Sequence, residues 1–277
     1  MSVDHWKLSI TPIHECHTSV TQYLLKLLYL SIPIEIYEKG RMISCRYYLN
    51  FYNNFEERTK KLWREADAVC FDVDSTVCKD EAIDELAKFA GKEKEVAEKT
   101  QKAMSGGMTF KEALHQRLEL IQPTVTMIHE YLYKHHPNFT PGIKDLIRIL
   151  HNRQIAVYLI SGGFYTLLEP IAKELNICLN NVFANRLLFY FNGKYAGFDE
   201  NQPVCHQNGK AEVISYLKEN YGYQKVVMIG DGITDLMACP PADGFIGFGG
   251  NSKRNIIKDK AGWFVTDFYE LIEELQN

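Results

Sequence analysis

The sequence predicts an α/β fold: a doubly wound, mostly parallel sheet with a Rossmann-like core and an inserted helical subdomain. Three observations carry this. A short apolar run followed by a turn and a helical pattern occurs three times, beginning at Ala68, Ile155 and Lys225. Polar residues suited to chemistry fall directly after those runs, at Asp72, Ser161 and Asp231. Between the first and second runs lie more than fifty positions with no strand pattern.

The elements follow in order. AVCFDV (68–73) is β-rich, and in DEAIDELAKFAG the residues Ile83, Leu86, Ala87 and Ala90 recur at helical spacing before Gly91. Residues 80–135 continue in helical pattern and predict an inserted cap. Pro141-Gly142 opens a helix over IKDLIRILHN, and IAVYLI (155–160) predicts a strand ending on Ser161-Gly162-Gly163. RLLFYFNGKYAGF (186–198) carries Asn192-Gly193 between aromatic runs, a strong hairpin signal. KVVMIG (225–230) ends on Asp231-Gly232, and FIGFG near 245 and WFVTD near 263 predict two further strands. The expected division is a core of 56–79 with 136–277, a cap of 80–135, and an extension of 1–55.

Composition narrows the function. The formal charge is −4, from 31 basic and 35 acidic residues, which argues against a nucleic-acid binder. Seven scattered cysteines without a C-x-x-C pair point to a reducing compartment rather than a zinc site or disulfide framework. The apolar stretch 19–37 is interrupted by Lys26, Pro33 and Glu35, so no membrane span or signal peptide is expected. It reads as a short amphipathic segment or a poorly ordered extension. The polar and aromatic run that follows, RYYLNFYNNFEERTKK, reads as a linker.

The decisive chemistry is in Asp72-Val73-Asp74-Ser75-Thr76. Two carboxylates two residues apart after a buried strand are costly unless a cation sits among them, and hard oxygen ligands suit Mg²⁺. One carboxylate can then attack phosphorus while the other moves protons. Ser161 with its two glycines offers a hydroxyl and open N–H groups for phosphoryl oxygens. Lys210, opening a helix, can neutralise charge during transfer. Asp231 adds a further carboxylate. Taken singly, each has an ordinary explanation: a helix cap, a turn, a solvated lysine. The nine histidines, including His135, His136 and His206, have no metal-ligand spacing and read as structural.

The order DVDST, SGG, GK, GDGxTD resembles the four motifs of the haloacid dehalogenase superfamily. AVCFDVDSTV, LIQP, LISGGF, NVFANRL, FNGKYAGFDE, MIGDG and GFGGN are more closely similar to its phosphoserine phosphatase family, over roughly four-fifths of the chain from about Glu56. That resemblance implies a cytoplasmic homodimer that hydrolyses O-phospho-L-serine at the end of L-serine biosynthesis, with Mg²⁺ as cofactor and no nucleic-acid or membrane partner. It makes Asp72 the nucleophile and Asp74 the general acid and base. Mg²⁺ would rest on Asp72, the Asp74 backbone carbonyl and Asp231. Ser161, Gly162, Gly163 and Lys210 would hold phosphate, Glu81 the ammonium and Arg117 the carboxylate. Met104 and Ser105 would line the pocket, and Thr234 and Asn251 would support it. A transferase, a phosphatase for another ester, a phosphoserine sensor and a receiver-type signalling domain are the competing readings. Retention of Asp72, Asp74 and Lys210 speaks against the sensor, and the helical insertion against the receiver.

One departure stands out. The family reads Met-Gly-Gly at the cap turn, and this chain reads Met104-Ser105-Gly106-Gly107. A serine forced to positive φ costs about 1 kcal/mol or more. A raised KM with near-normal kcat is therefore expected, relieved in Ser105→Gly; equal KM values for the two proteins would contradict it.

Overall fold

The computed structural model describes residues 37–38, 41–42, 55–104 and 107–276. Tyr37–Glu38 (β1) and Arg41–Met42 (β2) pair antiparallel in a unit of their own. Most of the 1–55 extension, including the greater part of the apolar stretch 19–37, lies outside the described residues, as do Ser105 and Gly106.

The second unit begins at Asn53 and runs to the C-terminus. Its first element corrects the expected linker over its last residues, because residues 55–64 form a helix, α1, and the earlier part of that run lies outside the described residues. The polar side chains of that run are used along the helix: Lys60 meets Glu56 at 2.7 Å, four residues back. Trp63 on the same helix is fully buried and donates its indole N–H to the carbonyl of Leu271 at 3.0 Å.

Six strands form one parallel sheet: Ala68–Phe71 (β3), Ala156–Phe164 (β4), Val182–Asn185 (β5), Val226–Gly230 (β8), Gly244–Phe248 (β9) and Trp263–Val265 (β10). Their order is β10-β9-β8-β3-β4-β5, with every neighbouring pair parallel. The chain builds outward from β3 in one direction, then returns to lay β8 on its other side. β3 and β8 therefore flank the point where strand order reverses, where a crevice opens beyond the strand ends.

Strand alternation feeds two cores. Val69 and Phe71 face one apolar cluster, which takes in the helices Ile143–Asn152 (α6), Tyr165–Glu174 (α7) and Phe268–Gln276 (α11). Ala68 and Cys70 face the other, with Val213, Ile214 and Leu217 of Gly209–Tyr221 (α8) and Ile257 of Asn255–Lys260 (α10). Burial on both faces explains why these strands read as continuous apolar runs.

Between β3 and β4 run Ala82–Phe89 (α2), Glu93–Met104 (α3), Phe110–Ile121 (α4) and Val125–Lys134 (α5), with no strand among the described residues there. Thr109 caps α4 in a reciprocal box with Glu112, and Thr124 caps α5. The chain leaves and re-enters the sheet layer side by side. Cys78 bridges Phe139 antiparallel, Lys79 donates to Asn138 O at 2.9 Å, and Thr140 donates to Val77 O at 2.9 Å. The hairpin is Leu187–Phe189 (β6) with Tyr195–Phe198 (β7), turning through Asn192-Gly193.

The second strand differs from its expected end at Ile160. β4 continues to Phe164, which pairs with Asn185 beyond an irregularity in register, and Asn185 Nδ2 donates to Gly162 O at 2.8 Å. Pairing with β5 keeps the SGG segment extended, so it is strand rather than turn.

Trp63 supplies a test of whether α1 is integral to the second unit. Trp63→Ala should lower unfolding free energy in urea by about 3–5 kcal/mol. Trp63→Phe, which keeps much of the apolar volume but strands a buried carbonyl, should cost about 1–3 kcal/mol. A loss below ~1 kcal/mol in the alanine variant would show that α1 is peripheral.

Candidate active site

Each catalytic candidate is set by the end of a strand. Asp72 follows β3 directly and opens a tightly wound turn, Val73–Val77, closed by Cys78 N donating to Val73 O at 2.9 Å. Within it Ser75 takes φ 55°, a left-handed conformation that costs a serine about 1–2 kcal/mol. The turn is held at both sides: Ser75 Oγ donates to Glu81 Oε1 at 2.8 Å, and Asn251 Nδ2 donates to Ser75 O at 3.1 Å. Asp231 follows β8 and begins Asp231-Gly232 ahead of the short helix Ile233–Leu236 (α9). Gly230 is required by close approach, since a Cβ there would lie 2.2 Å from Asp235 Oδ2.

Three buried aspartates meet where β3 and β8 end. One carboxylate oxygen from each of Asp72, Asp231 and Asp235 lies within 4.8 Å of the others. Lys210, at the start of α8 and only 7% exposed in its side chain, sits between two of them, 2.7 Å from Asp72 Oδ1 and 2.5 Å from Asp235 Oδ1. Burial works to depress the lysine, but the two carboxylates outweigh it and hold its pKa above the ordinary value. Asp235 Oδ2 accepts from Gly232 N at 2.9 Å, so both its oxygens are engaged. Asp72 Oδ1 also accepts from Val73 N at 2.8 Å. Asp231 Oδ2 is buried with no hydrogen-bond donor; the Arg254 guanidinium stands 3.0 Å away but off the hydrogen-bond direction.

Burial, reinforced by the charge of Asp72, pushes Asp231 up to about 7 and Asp235 up to about 8. Asp74 opens onto the cavity but is enclosed elsewhere, and burial with the charges of Glu81 and Asp72 pushes it up to about 8. Its Oδ1 accepts from Ala82 N at 2.8 Å, and Ser161 Oγ lies 3.5 Å from its Oδ2, a long contact.

A cavity of about 260 Å³ opens over this cluster. Asp72, Asp74, Gly162, Gly163, Lys210, Asp231 and Thr234 line it from the core, and Glu81 and Arg117 from the inserted helices. Glu81 and Arg117 form no ion pair with each other. Glu81 is raised by burial, and Arg117, which donates Nε–H to Ala113 O at 3.2 Å within α4, is lowered by burial.

Two predicted residues sit elsewhere. Ser161 is fully buried beneath the wall, with its Oγ accepting from Gly163 N at 2.8 Å and its O–H directed at Asp74 Oδ2. Asn251 lines a separate depression with Thr140 and holds Ser75 O and Thr140 Oγ1, the latter at 2.6 Å. It supports the catalytic turn from behind. Of Met104 only its place at the end of α3 is described, and Ser105 lies outside the described residues.

Sequence reasoning missed Asp235, Arg254 and the cavity position of His206. Asp235 was legible in principle, four residues after Asp231 in the same motif. His206 lay beside Cys205 and was dismissed on metal-ligand spacing, although cavity lining needs no such spacing. Arg254 carried no signal, since a lone arginine before a short helix is ordinarily a surface charge.

Comparison with known proteins identifies the family. A family model described as haloacid dehalogenase-like hydrolase matches residues 66–243. Phosphoserine phosphatase of Mus musculus is 57% identical over 217 residues, which are 78% of this chain and 96% of that one. Among solved structures, the phospho-aspartyl intermediate analogue of phosphoserine phosphatase superposes with TM-score 0.65 at 30% identity, covering 75% of this chain and 98% of that one. DsGPDH of Dunaliella salina matches with TM-score 0.69 at 36% identity, over 78% of this chain; the chain spans only 37% of that larger protein. With a match over more than half its length and relatives above half-identical across nearly their whole sequences, the chain belongs to the haloacid dehalogenase-like hydrolases and, within them, to the phosphoserine phosphatase family.

Proposed function

We propose that the chain hydrolyses O-phospho-L-serine to L-serine and phosphate through an aspartyl-phosphate on Asp72, the closing step of L-serine biosynthesis. The observation that carries the substrate is a single cavity walled both by Asp72, Asp74, Lys210 and Asp231 and by one acid and one base, Glu81 and Arg117. A phosphorylated zwitterion needs those three kinds of partner. Arginine's planar fork suits the substrate carboxylate, and Glu81 the ammonium. The four helices over 82–134 serve as the cap that brings this pair to the core.

The cluster fits a magnesium ion. Its donors are hard carboxylate oxygens, and Asp231 Oδ2 is a buried acceptor lacking a donor. Held by Asp72, the Asp74 backbone carbonyl and Asp231, Mg²⁺ would neutralise charge on the phosphoryl oxygens. The remaining chemistry belongs to the chain. Lys210 and Val73 N hold Asp72 by Oδ1, and no hydrogen-bond donor reaches Oδ2 among the described residues. A carboxylate oxygen of Asp72 attacks phosphorus as the phosphorus–oxygen bond to serine breaks. Asp74, with a pKa near neutrality, gives its proton to the departing serine oxygen. A water then attacks the phosphorus, passing its proton to Asp74 and returning Asp72 to the carboxylate. Lys210 balances charge through both transfers.

A homodimer and a cytoplasmic setting come with this reading. Free thiols at Cys70, Cys78, Cys178 and Cys205 support a reducing compartment. Among the described residues, no helix is long and apolar enough to cross a membrane. The dimer rests on the family resemblance.

Phosphate release from O-phospho-L-serine should require Mg²⁺, exceed that from phosphothreonine and a sugar phosphate, and fall roughly 10³-fold or more in folded Asp72→Asn. Release from the other esters alone would keep the mechanism and discard the substrate. Activity retained in Asp72→Asn would remove Asp72 as nucleophile.

The raised carboxyls also predict how pH and metal interact. Asp74, Asp231 and Asp235 titrate at about 7 to 8 when folded, against roughly 4 for unfolded aspartate. Their contribution to stability is complete below the unfolded value and is lost as pH rises through the folded values, because the folded state binds more protons in that window. Mg²⁺ takes over as protons leave. The gap in Tm between Mg²⁺-loaded and EDTA-treated protein should therefore widen from pH 6 to pH 8.5 by about 3–6 °C. Comparing the two states at each pH cancels groups remote from the metal. A gap that stays constant or narrows would contradict the assignment.

A further inference from the structure

The three clustered aspartates are served unequally. Asp72 and Asp235 share Lys210, which is buried and fixed between them at 2.7 and 2.5 Å. Asp231 forms no ion pair with that lysine. Its only ion-pair partner among the described residues is Arg254, with Nη2 3.0 Å from Oδ2. The two cations differ in kind. Lys210 is 7% exposed, whereas Arg254 is 37% exposed, reaches in from the residue just before α10, and lines the cavity. Arg254 and Glu81 line the same cavity, and the arginine's charge works against the burial that raises Glu81.

We propose that Arg254 is a tethered placeholder for the metal: it neutralises Asp231 in the metal-free protein and must yield that oxygen when Mg²⁺ arrives. This rests on the reading that Asp72 and Asp231 hold Mg²⁺. The physical grounds are charge and geometry. Asp72, Asp231 and Asp235 pack three carboxylates together below the protein surface, and Lys210 neutralises only one charge. Arg254 is the cation that meets Asp231 when no metal does, and an ionised buried carboxylate with no partner is strongly destabilising. Mg²⁺ and a guanidinium cannot share that oxygen without like-charge repulsion. The partner that gives way is the one on a long, part-exposed side chain whose contact lacks hydrogen-bond geometry. Arg254 is thus a positioning residue that acts through Asp231. It keeps the site folded before loading, and weakens metal affinity in return.

The test measures Mg²⁺ binding by calorimetry, together with Tm in EDTA and in saturating Mg²⁺, on the full chain and its Arg254→Met variant. The variant should bind Mg²⁺ about 3- to 10-fold more tightly. Its Tm should fall in EDTA and return close to the wild-type value in Mg²⁺. A merely structural arginine would lower both Tm values equally and leave the affinity unchanged or weaker, and either result overturns the proposal. Arg254→Gln serves the same comparison if the methionine variant does not fold, with the same direction expected. Wild-type protein that shows no saturable Mg²⁺ binding would overturn the metal site itself and the proposal with it. Binding that is present but indifferent to Arg254 overturns the placeholder alone.

Discussion

The active end of this protein depends on one buried lysine between two buried aspartates. Each ion alone would cost several kcal/mol to remove from water, and the cost is offset only by close pairing with the remaining valences satisfied. Lys210 meets that condition, and Asp235 spends its second oxygen on Gly232 N. The arrangement fixes the surrounding backbone. For Lys210 to reach the cluster, α8 must start hard against the preceding segment, where a Cβ on Gly209 would fall 1.9 Å from Pro203 O. Reversal of strand order then brings Asp72 and Asp231 to adjacent strand ends without a long loop.

The same logic reaches outward through the turn after β3. Ser75 is strained, and strain persists only where neighbours over-determine it. Asn251 supplies part of that constraint from the loop after β9, binding Ser75 O and Thr140 Oγ1, while Thr140 donates to Thr76 O at 2.6 Å. Thr140 lies on the strand-like segment by which the chain returns from the helical insertion. One amide therefore joins the catalytic turn to the base of the cap.

Much of the core was legible because its signals are local. β3 and β8 are buried on both faces, so their sequences are unbroken apolar runs, and the aspartates that follow them, Asp72 and Asp231, stand out by contrast. The insertion was legible as fifty positions of helical spacing. Less legible features were tertiary. Whether Ser161-Gly162-Gly163 turns or stays extended is decided by Asn185, over twenty residues away. Helix α1 looked like linker because its polar surface dominates the text, and the anchor Trp63 is one residue among many. Arg254 gains meaning only from the oxygen it approaches, and nothing adjacent in sequence encodes that oxygen.

In the proposed reaction, recognition and proton transfer are tied through the first residues of the helical insertion. Glu81 accepts from Ser75 Oγ, and the next residue, Ala82, donates its N–H to Asp74 Oδ1. These two hydrogen bonds run in opposite directions between the start of α2 and the catalytic turn, so neither segment can shift without loosening both. A substrate ammonium that draws Glu81 toward it would pull on the turn that carries Asp74. On the proposed reading, the groups that tell one phosphate ester from another are therefore not independent of the proton donor. A change of substrate in this fold would require the link at Ser75 to be rebuilt as well as the pocket wall.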